Sequence, residues 1–94
     1  MTVVVVGLSH RTAPVSVLEL ASVAADDLRK TLDELHRADT ISEVLLLSTC
    51  NRIEVYADAA RFHPAIAEIS TVLARHAGLA VSDLSDHLYV HFAE

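Results

Sequence analysis

The sequence predicts an α+β fold built on a four-stranded antiparallel sheet, and three patterns carry that prediction. One is a β-branched run near the start of the chain. Another is an apolar run that a short polar break separates from an alternating run. The third is a pair of segments in which large aliphatic residues recur at helical spacing. The 94 residues are expected to form a single domain spanning 1–94.

The first strand is predicted over 2–8, where four consecutive valines disfavour a helix and suit a strand covered on both faces. Gly7 then permits a turn or a close approach of another backbone. Pro14 closes the polar loop that follows. Ser16 and Glu19 have the spacing of a capping box, so a short helix is expected to begin at Ser16 and to extend to residue 23.

Two longer helices are predicted from apolar residues that recur with a helical period. The first covers 26–37. The second follows Pro64, which suits a first helical turn, and is expected to end before Gly78, a residue typical of a C-terminal cap. The residues of the two apolar faces are Leu28, Leu32 and Leu35 in the first helix, and Ile66, Ile69 and Leu73 in the second.

A hairpin is predicted over 43–58, with Cys50, the only cysteine, at its tip. A single helical turn at 82–86 and an alternating strand at 88–93 complete the chain. The resulting order, βαββαβ, is that of a ferredoxin-like sandwich with two main helices on one face of the sheet. Its usual strand order is 4-1-3-2 with right-handed crossovers. The end of the first strand then meets the start of the third, so we expect the polar loop 9–12 to lie beside the hairpin tip.

Composition and charge exclude several classes of function. The net charge is −6 and the seven Lys and Arg residues are scattered, so this domain is not expected to be the main grip on a nucleic acid. No apolar run approaches the ~20 residues of a membrane span, and the chain start lacks the basic region of a secretory signal. A single cysteine fits a reducing compartment, so a cytoplasmic location without membrane contact is expected.

No metal or cofactor site is expected within this chain. His87 and His91 have the i, i+4 spacing of two ligands on a helix, but the segment there is predicted to be a strand. The other histidines are single, and no His, Cys and Asp cluster has ligand spacing. With only Gly7 and Gly78, the chain has no glycine-rich fingerprint for a nucleotide phosphate.

The polar break is the candidate site. A thiol at a strand end, preceded by two hydroxyl residues and followed two positions later by a guanidinium, suits a nucleophile, whereas a lone cysteine also serves as core packing. Arg52 either lowers the pKa of a neighbouring thiol or binds a substrate carboxylate through its planar fork, and we favour the second role. Thr49 is open to substrate binding or to satisfying the turn backbone, and Asn51 is interpreted as a turn former. His10 and Arg11 belong either to the site or to a solvated loop.

Two segments, GLSHRTAPV at 7–15 and LSTCNRIEVY at 47–56, resemble the N-terminal catalytic domain of the glutamyl-tRNA reductase family. Their spacing and register match as well, and the resemblance runs over essentially the whole chain. It implies that a Cys50 thiolate attacks the ester of glutamyl-tRNA and forms a thioester. NADPH then reduces that thioester to glutamate-1-semialdehyde, in the first step of tetrapyrrole and haem biosynthesis. The candidate substrate-binding residues are Thr49, Arg52, Ser9, His10 and Arg11.

The resemblance also implies what this chain does not do alone. Enzymes of the family continue into an NADPH-binding domain and a dimerisation domain, so the chain is interpreted as a truncated domain that cannot complete the reduction. Most of the tRNA is expected to be held elsewhere. The full-length enzyme is expected to be a homodimer and a partner of glutamate-1-semialdehyde aminomutase. The alternative hypothesis is a ferredoxin-like regulatory or protein-interaction module, because a fold alone does not determine a function.

Overall fold

The computed structural model describes residues 2–93, and its centre is an antiparallel sheet of four strands. The elements in chain order are β1 (Thr2–Ser9), α1 (Val15–Ala21), α2 (Ala25–His36), β2 (Ile41–Ser48), β3 (Arg52–Ala59), α3 (Phe62–Ala77), α4 (Val81–Ser85) and β4 (Tyr89–Ala93). The strands lie in the order β2-β3-β1-β4, which read from the other edge is 4-1-3-2. The predicted fold class and strand order are therefore confirmed.

The valine run of β1 forms one of the two central strands, paired with β3 on one side and β4 on the other. Val4 and Val6 point into the core and are fully buried. Val3, on the opposite face, is 49% exposed. The expectation that this strand is covered on both faces was therefore wrong, because the helices pack on one face of the sheet and the other face stays open.

The apolar faces predicted for the two long helices are confirmed. Leu35 of α2, and Ile69 and Leu73 of α3, are fully buried in the core. The remaining predicted positions, Leu28, Leu32 and Ile66, are partly buried against it. Gly78 ends α3 in the left-handed conformation, with φ at 73°, as a C-terminal cap requires.

The start of α1 differs from the prediction. Pro14 precedes the helix in an extended conformation, and its carbonyl accepts the N–H groups of Val17 and Leu18, both at 3.1 Å. Ser16 therefore lies inside the first turn, and no side chain caps the helix. The capping box was wrong because the restricted φ of proline already sets the turn two residues earlier. The helix also ends at Ala21 rather than at residue 23.

The hairpin between β2 and β3 closes through a two-residue loop with Cys50 in it. Ser48 is paired with Ile53, and the Thr49 N–H donates to the Arg52 carbonyl at 2.9 Å. Within the described chain no residue other than glycine has a positive φ, so this is not one of the mirror-image turns usual in tight hairpins. Asn51 accordingly does not use the left-handed conformation that asparagine tolerates.

None of the helices within residues 2–93 has both the length and the apolar character needed to cross a bilayer.

Candidate active site at one end of the sheet

The loop after β1 and the tip of the β2–β3 hairpin meet at the same end of the sheet. Ser9 is the register partner of Arg52, because β1 and β3 are antiparallel neighbours. One residue further, the His10 N–H donates to the Asn51 carbonyl at 3.0 Å. The predicted juxtaposition of the two polar segments is confirmed, and Asn51 joins them through its backbone.

The hydroxyls of Ser9 and Thr49 order their own loops. The Ser9 hydroxyl accepts the Arg11 N–H at 3.2 Å. The Thr49 hydroxyl accepts the N–H groups of Asn51 and Arg52, both at 3.2 Å, and donates to the Arg52 carbonyl at 3.4 Å. Of the two roles open to Thr49, the structure shows the one in the turn backbone.

The candidate site residues divide between two clefts. The basic cleft, with a volume of about 350 Å³, is lined by Ser9, His10, Arg11, Thr12, Arg52, Tyr89 and His91. The cysteine cleft, of about 410 Å³, is lined by Val15, Leu18, Glu19, Ser22, Thr49 and Cys50. The Cys50 thiol is exposed rather than packed in the core. Cys50 and Arg52 therefore line different clefts, although only one residue separates them in the chain.

The two clefts are lined by different kinds of residue because they lie on opposite sides of the sheet. Arg52 lies on the open face, together with Glu54, since alternate residues of a strand share a face. The cysteine cleft is bounded by Val15 and Leu18 of α1, on the side that the helices cover. The hairpin tip thus forms a narrow border between a cationic cleft and a partly apolar one.

A buried carboxylate, Glu54, lies beneath the basic cleft. Glu54 is only 7% exposed. Two phenol hydroxyls donate to its carboxylate, Tyr89 to Oε2 at 2.6 Å and Tyr56 to Oε1 at 2.9 Å. Arg52 Nη1 lies 3.8 Å from Oε1. Burial acts to raise the pKa of Glu54, but the hydrogen bonds from Tyr89 and Tyr56, with the charges of Arg52 and His91, hold that pKa below its ordinary value.

Gly7 allows this carboxylate and Tyr89 to meet across β1. It is the register partner of Glu54 on one side and of Tyr89 on the other. A Cβ at this position would lie 2.7 Å from the Ile53 carbonyl oxygen, 2.8 Å from Glu54 Cγ and 3.1 Å from Tyr89 Cζ. Of the two roles expected for Gly7, the structure shows the close approach, since its φ is not positive.

Sequence reasoning missed Glu54, Tyr56 and Tyr89 as a cluster. Glu54 and Tyr56 are polar positions of the alternating run, and both lie in the second of the two family segments. Their i, i+2 spacing from Arg52 was the available signal, because it places all three on one face. Tyr89 is 35 residues from Glu54 in the chain, and only the pairing of β1 with both β3 and β4 brings the two together.

Neither a metal ion nor a nucleotide has a built site among the described residues. No group of three or more His, Cys, Asp and Glu side chains within 2–93 is placed to hold a metal. His87 Nδ1 instead lies 3.3 Å from the Thr12 carbonyl oxygen. The space above Gly7 is filled by Glu54 and Tyr89, and Gly78 caps the C-terminal end of a helix, so neither glycine offers a phosphate cradle. These residues therefore supply no dinucleotide-binding turn for NADPH.

The chain is similar in sequence to known proteins over nearly its whole length. Residues 6–94 match the family model described as glutamyl-tRNAGlu reductase, N-terminal domain. The chain is 51% identical, over 94 residues, to a glutamyl-tRNA reductase of Streptomyces coelicolor, covering all of the chain and 16% of that relative. It is 53% identical over 91 residues to the glutamyl-tRNA reductase of Frankia alni, covering 97% of the chain and 19% of the relative.

The chain thus spans less than a fifth of the length of either relative. The match nevertheless includes both segments that meet at the sheet end, and the fold places them together. On these grounds the chain belongs to the glutamyl-tRNA reductase family, in the part that the family model describes as the N-terminal domain.

Proposed function

We propose that this chain is the substrate-binding and acyl-transfer domain of an NADPH-dependent glutamyl-tRNA reductase, with Cys50 as its nucleophile. The observation that carries the proposal is the exposed Cys50 thiol at the tip where the two family segments meet. A thiol used for packing would be buried, whereas a nucleophile must be accessible to its substrate. The relatives bear the name of the enzyme whose substrate is a glutamyl ester of tRNA.

The proposed step is a displacement at the carbonyl carbon of that ester. The Cys50 thiolate sulfur forms a bond to the carbonyl carbon, and the bond between this carbon and the ribose oxygen breaks. The ribose oxygen leaves with the electron pair and takes up a proton. The products are a glutamyl thioester on Cys50 and free tRNA.

The two clefts suggest how the glutamyl group is held. Arg52 presents a planar fork to the basic cleft and is suited to bind the free side-chain carboxylate of the substrate. Arg11 adds a second positive charge to the same cleft, and His10 adds a ring that can form hydrogen bonds. The Cα atoms of Cys50 and Arg52 lie within ~7 Å of each other, because only one residue separates them, and we propose that the glutamyl group reaches over the tip from one cleft to the other. Ser9 and Thr49 contribute by ordering the two loops.

The proposal for this chain ends at the thioester. Because the described residues supply no dinucleotide-binding turn, we assign the NADPH-dependent reduction of the thioester to glutamate-1-semialdehyde to the rest of a longer enzyme. The net charge of −6 likewise assigns most of the tRNA contact to that remainder. By family membership we extend the proposal to a cytoplasmic homodimer that partners glutamate-1-semialdehyde aminomutase in tetrapyrrole synthesis.

The test is to incubate the 94-residue chain with 3′-glutamyl-adenosine, a small glutamyl ester that needs no grip on tRNA, and to look for an adduct by mass spectrometry. We expect a glutamyl adduct on Cys50 that hydroxylamine releases, as it does thioesters. The Cys50→Ala variant, checked for folding by circular dichroism, is expected to form none. A folded wild-type chain that stays unmodified would overturn the proposal and favour the interaction module.

A further inference from the structure

The ion pair between Arg52 and Glu54 is unusually open. Its closest N–O distance is 3.8 Å, although Glu54 is buried beside it. Arg75 and Glu34, in the same chain, close to 3.0 Å. Charge-assisted pairs of this kind usually close to ~2.8 Å with both forks engaged. Arg52 therefore does not form a close ion pair with the nearest carboxylate.

The two phenols are closer partners of the Glu54 carboxylate than Arg52 is. Tyr89 donates to one oxygen of Glu54 and Tyr56 to the other, so each oxygen keeps only part of its capacity to accept a further hydrogen bond. The Tyr89 bond, at 2.6 Å, is the shorter, and it joins the carboxylate to β4 across Gly7. The Arg52 side chain meanwhile stays 54% exposed and lines the basic cleft.

We propose that Tyr89 is a positioning residue: by holding the Glu54 carboxylate against the sheet, it leaves the Arg52 guanidinium free in the basic cleft to bind a carboxylate of the substrate. This inference deepens the proposed function and rests on it, because it presumes an anionic ligand for Arg52. Tyr89 lines the basic cleft, whereas the Cys50 thiol lies in the cysteine cleft. Tyr89 acts by setting which carboxylate Arg52 can bind.

Tyr89→Phe tests the inference, because it removes the hydroxyl and keeps the ring. In this variant we expect the Glu54 carboxylate to pair with Arg52. The concentration of 3′-glutamyl-adenosine that half-saturates Cys50 acylation should then rise about tenfold, which is the effect of losing one charge-assisted bond. The acylation rate at saturation should not change, since no reacting group is altered. Thr71→Val, which removes the hydroxyl that donates to the Ala67 carbonyl on α3, is the matched control and should change neither quantity.

Two comparisons separate positioning from a general structural effect. With 3′-glutaminyl-adenosine, whose side chain is uncharged, Tyr89→Phe should leave the half-saturating concentration unchanged. In an Arg52→Ala background, adding Tyr89→Phe should not change the half-saturating concentration further, since the residue through which Tyr89 acts is absent. Equal losses with both esters, or losses that add in the double variant, would overturn the inference. If Tyr89→Phe does not fold, Tyr56→Phe frees the Glu54 oxygen nearest Arg52 and should give the same selective rise.

A binding measurement without thiol chemistry keeps this inference distinguishable from the proposed function. Glutarate, a dicarboxylate without an ester, is titrated into the Cys50→Ala chain while the Arg52 side-chain NMR signal is followed. Tyr89→Phe should weaken glutarate binding about tenfold as well. If Tyr89→Phe weakens glutarate binding but the wild-type chain is never acylated, only the acyl-transfer proposal is contradicted. If the wild type is acylated, and Tyr89→Phe changes neither the half-saturating ester concentration nor the glutarate affinity, only the positioning role is contradicted.

Discussion

A carboxylate removed from water is stable only when donors and positive charge replace its hydration. Glu54 meets this condition through the hydroxyls of Tyr56 and Tyr89 and through the nearby charge of Arg52. The reciprocal effect is seen in the phenols: burial and the hydrogen bond to Glu54 raise the pKa of Tyr89 well above its ordinary value. At the residue scale this cluster is the main electrostatic feature of the site.

We predict that Glu54 makes the stability of the fold depend on pH. Its pKa in the folded protein lies below the unfolded value of ~4.3, so its contribution is present above that value and is lost as the pH falls through the folded pKa. The difference in unfolding free energy between the wild type and Glu54→Gln should be largest near neutral pH and shrink below about pH 4. Urea unfolding between pH 3 and 7 measures it. A difference that stays constant or grows with acidification would contradict the assignment.

At the scale of elements, a side chain at the end of β2 links the hairpin to the helix layer. The Ser48 hydroxyl accepts the N–H of Val23, at 3.1 Å, in the connection between α1 and α2. Val23 is itself buried, so we expect its N–H to have little access to water as a substitute. This bond holds the residues that follow α1, at the wall of the cysteine cleft, against the strand that precedes Cys50.

Ser48→Ala should therefore destabilise the protein by about 1–2 kcal/mol, because it leaves a buried donor unpaired. The same strand offers a matched control in Ser42, whose exposed hydroxyl donates to the Asp58 carbonyl at 3.2 Å. Ser42→Ala should stay within about 0.5 kcal/mol of the wild type, because water can replace the lost bond. Chemical denaturation of both variants gives the comparison, and equal losses would argue against the structural link.

At the scale of the whole molecule, the helices cover one face of the sheet and leave the other to solvent. The core therefore lies in a single layer, and aliphatic residues of the same type differ widely in burial. Leu35 of α2 has 0% exposure, whereas Leu45 of β2, on the open face, has 62%. The basic cleft also lies on the open face. This cleft therefore borders the buried core that stabilises the protein but is not part of it.

Truncating these two leucines tests the one-sided core. Leu35→Ala should cost about 2–5 kcal/mol in unfolding free energy, since it removes buried contacts and leaves a cavity. Leu45→Ala should change it by less than about 0.5 kcal/mol. Thermal or urea unfolding measures both, and a large loss for Leu45→Ala would mean that the open face is covered in solution.

The sequence by itself determined the element order, because hydrophobic periodicity is a property of local spacing. The strand order usual for that element order then predicted that the two polar segments meet. Helix bounds, including the start of α1, were predicted to within about two residues. The cap of α1 was not, since Pro14 and not Ser16 precedes its first turn. The family resemblance lies in two runs of contiguous residues, so it could be recognised without knowing the fold.

Only the tertiary structure decided how the site is divided. Cys50 and Arg52 line different clefts, and Thr49 is committed to its turn, because the direction of a loop side chain depends on turn geometry that composition does not specify. Glu54 and Tyr89 meet only because both strands pair with β1 at Gly7. Contacts between strands that are distant in sequence follow from register, and register is settled by the packing of the whole sheet.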